Sequence, residues 1–138
     1  MQAEFFIEGL PIAKGRPRVT KRGYTYTPKR TKRYEDHVRD CYLLGVGEEP
    51  SEDGLLVYLC FTFPIPKSYP KKRVEAIRTK RELYTKKPDL DNLAKTVLDA
   101  LNGVAYEDDS QVVGLHLRKE YSRKPGDVGV SVYIQSVF

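Results

Sequence analysis

Cysteine and histidine are scarce in this chain, with two of each in 138 residues. Cys41 and Cys60 fall in a helix-like and a strand-like segment, with neither C-x-x-C spacing nor a histidine cluster beside them. That excludes the usual zinc sites and leaves two buried free thiols as the expectation. His37 falls on a helix-like segment and His116 on a strand-like one. Neither has a partner visible in the sequence, so both are read as surface or packing residues. Long apolar runs are missing too. None approaches the length that spans a bilayer, and MQAEFFIEGL at the N-terminus lacks the basic region, apolar stretch and small-residue cleavage site of a secretory signal. A cytoplasmic protein with no membrane partner is expected. Neither a repeat nor a linker divides the sequence, so residues 1–138 are expected to form one domain.

Charge, by contrast, is abundant. With 40% hydrophobic and 31% charged residues the composition is that of a soluble globular protein, and a chain of this size buries roughly two thirds of its unfolded surface. The net charge of +5 conceals a segregated pattern. Residues 1–33 carry nine Lys/Arg against two Glu, and residues 67–87 again carry nine against two. Between them, residues 34–66 hold one Arg against seven acids, and residues 88–138 hold five basic against eight acidic groups. Solvated surface charge would account for either basic block alone. Two of them beside an acidic stretch favour a polyanion-binding surface around a cation-dependent site, and hence nucleic acid.

The hydrophobic pattern predicts a strand over residues 2–8, then a Gly/Pro/Lys/Arg-rich loop or short hairpin. Tyr24 and Tyr26 alternate with threonines there, suited either to stacking on bases or to pairing across a small ribbon. Thr27 as N-cap and Pro28 as first helical residue open a helix through about Leu44, with Tyr34, Val38, Cys41 and Tyr42 or Leu44 on its inner stripe. LLVYLCFTF, residues 55–63, is apolar nearly throughout, which predicts a central strand covered on both faces. A basic helix is expected within residues 68–82, with Val74 and Ile77 as its narrow apolar stripe. Residues 111–121 and 128–134 alternate apolar and polar positions around the turn SRKPGD, which predicts a closing β-hairpin. The order β-α-β-α-β-β gives an α/β fold, a single domain with one mixed sheet flanked by helices.

The acidic stretch KKPDLDNLAKTVLDALNGVAYEDDSQVV, Lys86 to Val113, carries the chemistry. If Asp89 and Leu90 are extended, Asp89 and Asp91 project to one side about 7 Å apart at Cα and can share a cation. Asp91 is also placed to cap the next helix, whose inner sector is Leu93, Ala94, Val97, Leu98 and Leu101 and whose outer sector is Asp91, Lys95, Asp99 and Asn102. Helix capping explains Asp91 by itself. It does not explain Asp89, nor Asp108 and Asp109 beyond the helix, and chain returning to the same sheet edge brings one of that pair to Asp89 and Asp91. Clustered carboxylates repel unless a metal holds them, and hard Mg²⁺, which takes oxygen ligands and keeps waters for a substrate phosphate, suits the set. An EF-hand loop does not fit, because Leu93 and Ala94 stand where that motif wants an oxygen ligand and a glycine. Lys95 reads either as an i,i+4 ion-pair partner of Asp91 or as an ammonium that neutralises charge on a reacting phosphate. The second reading is taken here, and Asp99 is read as structural.

The stretch KPDLDNLAKTVLDALNGVAYEDDSQV resembles the signature of the RusA family of Holliday junction resolvases, small endonucleases of bacteria and their phages. The likeness lies in D-x-D-N, a lysine four residues after the second aspartate, D-A-L-N-G and D-D-x-Q-V. AKGRPRVTKRGYTYTPKRTKRYED is similar to the N-terminal half of phage-type members. This resemblance implies an α/β homodimer that resolves four-way DNA junctions by paired nicks, with Mg²⁺ or Mn²⁺, in recombination and repair. It implies Asp89, Asp91 and Asp109 as metal ligands, with Asp108 adjoining them, and Lys95 with Asp91 as catalytic groups. Lys14, Arg16, Arg18, Lys21, Arg22, Lys29, Arg30, Lys86 and Lys87 would then form the DNA surface. The basic segment from Lys67 to Lys87 is longer than compact enterobacterial members carry. Two other classes remain open: a noncatalytic nucleic-acid-binding module whose acids only cap helices, and a metal-dependent nuclease for another branched or single-stranded substrate.

Overall fold

Strict alternation of burial in Gln2–Glu8 (β1) turns Ala3, Phe5 and Ile7 inward and leaves Gln2, Glu4, Phe6 and Glu8 outside. The computed structural model describes residues 1–15 and 18–138. Two short strands, Arg18–Val19 (β2) and Thr25–Tyr26 (β3), pair antiparallel as a small ribbon in which Arg18 faces Tyr26. Pairing across a ribbon is thus the outcome for Tyr26, while both tyrosines stay exposed. Helix α1 (Lys29–Gly45) follows, then Leu55–Phe63 (β4), α2 (Lys71–Arg78), α3 (Leu90–Ala100), a 3₁₀ turn at Asp109–Gln111, Val112–Tyr121 (β5) and Gly129–Ser136 (β6).

The four long strands form one mixed sheet in the order β1-β6-β4-β5. β4 runs antiparallel to β6 and parallel to β5, so it is central as its apolar run predicted. The expected closing hairpin is overturned, because β4 lies between β5 and β6. Alternation specifies which face of a strand is buried but not which strand lies beside it, and the long apolar β4 offers a better-paired neighbour to both. Coverage of β4 on both faces is corrected as well. Leu55, Val57, Leu59, Phe61 and Phe63 are buried beneath the helices, whereas Tyr58 on the other side is exposed and Leu56 and Cys60 are half-buried. On that outer face aromatic rings meet across the strands: the Tyr58 ring lies 5.9 Å from His116 and 5.8 Å from Tyr133.

Helices α1 and α3 pack together on the inner face, α1 over β1 and α3 towards β5. Tyr34, Val38 and Tyr42 supply the stripe of α1, while Cys41 is half-buried and Leu44 projects into solvent. Burial raises the Cys41 thiol above its ordinary pKa, and the Cys60 thiol likewise. The cap of α1 is one residue later than the Thr27/Pro28 reading: Pro28 holds the N-cap place, its carbonyl accepting from the Lys32 amide at 3.1 Å. α2 is shorter than residues 68–82 because only Val74 and Ile77 give it an inner side, half-buried and buried respectively.

Gly129 begins β6 opposite Glu8 with φ +153°. A Cβ there would lie 2.2 Å from the Ile7 carbonyl oxygen, a backbone atom that cannot move without opening the β1–β6 ladder. Gly129→Ala is expected to cost more than about 2 kcal/mol of stability, combining backbone strain with overlap. Chemical denaturation of the two proteins checks it, and an unchanged midpoint would refute it.

Candidate active site

The acidic stretch folds differently at its start from the extended reading. Leu90 is already helical, so Asp89 and Asp91 are not alternate residues of a strand, and the 7 Å spacing does not apply. Asp89 is the N-cap of α3, its carbonyl accepting from the Leu93 amide at 3.0 Å, and Asp91 belongs to the first turn. This corrects Asp91 as the cap. No capping bond comes from the Asp89 side chain. Its carboxylate instead accepts from Lys87 Nζ at 2.9 and 3.0 Å. Asp91 is exposed in a first helical turn, where the unsatisfied amides favour negative charge.

From Asp91 the helix period carries Lys95 and Asp99 down the same outer face. Leu93, Ala94, Val97 and Leu101 are buried as their spacing predicts, and Leu98 is half-buried. Gly103, with φ +75°, turns the chain, and its amide donates to the Tyr106 carbonyl. The return loop is pinned by Tyr106, fully buried, whose hydroxyl donates to the Leu98 carbonyl at 2.6 Å. Burial pushes this phenol far above its ordinary pKa, and the charges of Asp109, Asp99 and Asp108 push it the same way. Tyr106 thus ties the return loop to α3.

The two adjacent aspartates have different employment. Asp108 caps the 3₁₀ turn, accepting from the Ser110 amide, while Gln111 Oε1 accepts from the amides of Glu107 and Asp108 at 2.9 Å. Hydrogen bonds from the side chain and backbone of Ser110 hold the Asp108 carboxyl below its ordinary value. Asp109 is half-buried and lines a pocket of about 300 Å³ between α3 and β5, together with Asp91, Lys95 and Asp99, over Leu115 and Leu117. The pocket thus gathers Asp91, Asp109 and Lys95, and leaves Asp89 beside it in its pair with Lys87.

Behind the pocket runs an ion-pair chain. Lys14 Nζ lies 3.0 Å from Glu35 and 3.2 Å from Asp99, and Asp99 lies 3.6 Å from Lys95 Nζ. Lys14 and Glu35 are mostly buried, with side chains 16% and 10% exposed, whereas Lys95 is 62% exposed. Burial acts to lower the Lys14 pKa, but hydrogen bonds to Glu35 and Asp99 outweigh it and hold the ammonium above its ordinary value. The expectation that Lys14 is an open phosphate contact is corrected. A lysine in a basic run has the same sequence appearance whether it faces DNA or a buried acid, and Glu35 is 21 residues away. Arg18, Lys21, Arg22, Lys29, Arg30, Lys86 and Lys87 are exposed, and Arg16 lies outside the described residues.

The donors around the pocket are carboxylate oxygens, which suit a hard cation in kind. Among the described residues, no three Asp, Glu, His or Cys side chains converge closely enough to hold an ion. Asp91 and Asp109 line one pocket, and Asp89 would have to leave Lys87 to join them.

Residues 8–134 match the family described as Endodeoxyribonuclease RusA. The chain belongs to the RusA family. A relative in Bacillus subtilis (strain 168), "Uncharacterized protein YqaN", is 33% identical over 135 residues, covering 88% of this chain and 89% of its own. Membership of the RusA family makes nuclease chemistry on DNA the coarse functional assignment, and nucleases of this type are generally dependent on a divalent metal. The match takes in the lysines and arginines of both basic blocks, the whole acidic stretch, β4, β5 and all but the last two residues of β6, and it begins at Glu8, the end of β1. Among the described residues, no helix of this RusA-family chain is long and apolar enough to cross a membrane.

Sequence reasoning missed three supports of the candidate site in this RusA-family chain: Lys14, Tyr106 and Lys119. Lys119 Nζ donates to the carbonyls of Lys86 and Pro88 at 2.7 and 3.1 Å, tethering the approach to Asp89 against β5. Lys14 and Lys119 lie outside the acidic stretch in sequence. Only Tyr106 stood within the stretch, where an apolar-aromatic break in an acidic run was the available signal.

Proposed function

We propose that this protein is a divalent-metal-dependent endonuclease that resolves four-way DNA junctions as a homodimer, in DNA recombination and repair. The observation that carries the reading is the pocket between α3 and β5, where Asp91 and Asp109 meet Lys95 on a chain of an endodeoxyribonuclease family. Asp91 and Asp109 would hold Mg²⁺ or Mn²⁺, with Asp89 joining them when a DNA phosphate takes Lys87 in its place. When bound, the ion supplies Lewis acidity to the scissile phosphate and a water of lowered pKa. Lys95 is assigned to the developing phosphate charge. Asp99, itself held by Lys14, keeps that ammonium in the pocket. Arg18, Lys21, Arg22, Lys29, Arg30, Lys86 and Lys87 are assigned to the phosphate backbone, whose many weak contacts give affinity and a steep salt dependence.

The dimer follows from the number of cuts. One pocket attacks one strand, and two cuts on strands related by a two-fold axis need two identical sites so related. The uncovered outer face of the sheet, where Phe6 and Tyr58 are 40% and 42% exposed, offers apolar ground for the second copy. The experiment is direct. A labelled four-way junction and its matching duplex are incubated with the protein, with and without Mg²⁺, alongside sedimentation of the free protein. Paired nicks in the junction alone, only with metal, from a sedimenting dimer are expected. Binding without cutting in any metal would refute the nuclease reading. Equal cutting of duplex would refute the junction preference, and a monomer that nicks one strand would refute the dimer.

A further inference from the structure

The basic segment from Lys67 to Lys87 forms a second feature beside the acidic pocket. Leu10, Phe63 and Tyr84 are walls common to two adjoining recesses, together called the groove. The smaller, about 230 Å³, is completed by Pro64, Pro66, Tyr69, Lys86 and Tyr121. The larger, about 590 Å³, runs past Pro88 to Arg18 and Arg30. No carboxylate lines either recess among the described residues, although the chain carries 19 acids. Aromatic rings and Lys86 line the smaller recess, while aliphatic and proline side chains with Arg18 and Arg30 line most of the larger.

The aromatic side chains are stacked in a set order. Tyr84 lies on Phe63 with centroids 4.5 Å apart and planes at 13°, and Tyr121 meets Tyr84 edge-on at 4.9 Å. Tyr69, half-buried at the outer end, carries the Arg73 guanidinium 3.7 Å from its ring centroid and accepts a hydrogen bond from Lys86. Anchoring α2 to the sheet edge accounts for Tyr84 and Tyr121. It does not account for an open recess continued by Pro88, Arg18 and Arg30. The groove also ends where the chemistry begins, since Asp89 follows Pro88 directly. Backbone there is fixed from two sides, by Tyr84 donating to the Lys87 carbonyl at 3.1 Å and by Lys119 donating to those of Lys86 and Pro88.

We propose that this groove binds one unpaired strand of the DNA substrate, its bases against Tyr69, Tyr84 and Pro88 and its phosphates on Lys86, Arg30 and Arg18. A duplex offers the groove only phosphates and sugars, for which aromatic rings have no use. Splayed bases stack on such rings whatever their sequence, and cations beside them hold the backbone. The proposal deepens the nuclease reading and rests on it: the strand is held open next to the phosphate to be cut.

Two measurements test it on the full chain. Affinity for fluorescein-labelled oligo(dT) and for a blunt hairpin duplex is compared between wild type, Tyr69→Ala and Tyr69→Phe. Loss of a base stack is expected to weaken oligo(dT) binding by about tenfold or more in Tyr69→Ala. Tyr69→Phe should keep it, and duplex binding should be the same in all three. Separately, a four-way junction carrying 5-iododeoxyuridine beside the cleaved phosphate is irradiated on the wild type, and the adduct is expected on Tyr69 or Tyr84. Equal loss of both ligands in Tyr69→Ala, or an adduct mapped outside the groove, overturns the proposal. Metal-dependent cleavage in the same samples separates the two readings. Junction cutting with no groove adduct removes the groove alone, whereas oligo(dT) binding through Tyr69 with no cutting under any metal removes the nuclease reading and keeps the strand site.

Discussion

Asp91→Asn is expected to abolish junction cleavage while leaving junction binding intact. Asp91 is exposed in the first turn of α3 and donates nothing to the core, so the fold loses only a favourable interaction with the helix N-terminus, a few tenths of a kcal/mol. The pocket loses half of the charge that Asp91 and Asp109 bring to it. A fall of at least about a hundredfold in cleavage rate, ~2.7 kcal/mol of transition-state stabilisation, is expected at saturating Mg²⁺. Asp109→Asn should behave in the same way. Asp108→Asn should not, because an asparagine oxygen can still accept from the Ser110 amide and cap the 3₁₀ turn. Single-turnover cleavage of the three variants, with affinity measured in Ca²⁺, decides the matter. Near-normal rates in Asp91→Asn and Asp109→Asn would remove both from the metal site.

Lys14→Ala carries the largest expected stability effect among the charged residues. It leaves Glu35 and Asp99, 10% and 22% exposed, facing each other without their shared cation. Breaking a largely buried pair by removing one partner is costly, here on the order of 3 kcal/mol. Because the folded-state pKa of Lys14 is raised, its contribution is complete at any pH below the ordinary value of 10.5 and is lost only as the pH climbs through the raised value. The deficit of the variant should therefore be equal at about pH 7 and about pH 9. Cleavage should fall too, since Asp99, no longer fixed by Lys14, holds Lys95 less firmly in its place. Lys95→Ala offers the contrast: an exposed helix position tolerates alanine, so its rate should drop more than about tenfold with little change in stability. The salt slope of DNA binding should be unchanged in Lys14→Ala and flattened by neutralising Arg18 and Arg30. A fully stable Lys14→Ala with a flattened slope would return Lys14 to the DNA surface.

Local pattern was enough for the elements themselves. LLVYLCFTF is β4 to the residue, QAEFFIE is β1, and the inner sector of α3 follows from its 3.6-residue period. The motif and the family it marks were equally legible, because D-x-D-N, the following lysine and the D-D pair are contiguous in sequence. These are properties of neighbours along the chain, governed by side-chain periodicity and local hydrogen bonding. What lies across the chain was not legible. That β4 separates β5 from β6, that one face of the sheet stays open, and that Lys14 turns inward to Glu35 and Asp99 all depend on which surfaces meet after collapse. A strand's alternation or a lysine's charge is the same before that choice as after it. Even at the motif, composition named Asp89, Asp91, Asp108 and Asp109 as acids, but tertiary contacts distributed their roles: one faces Lys87, one caps a 3₁₀ turn, and two line the pocket with Lys95. The helix begins a residue earlier than an extended D-x-D allows, because the burial of Leu93 and Ala94 against the sheet outweighs the preference of a short acidic segment to stay open.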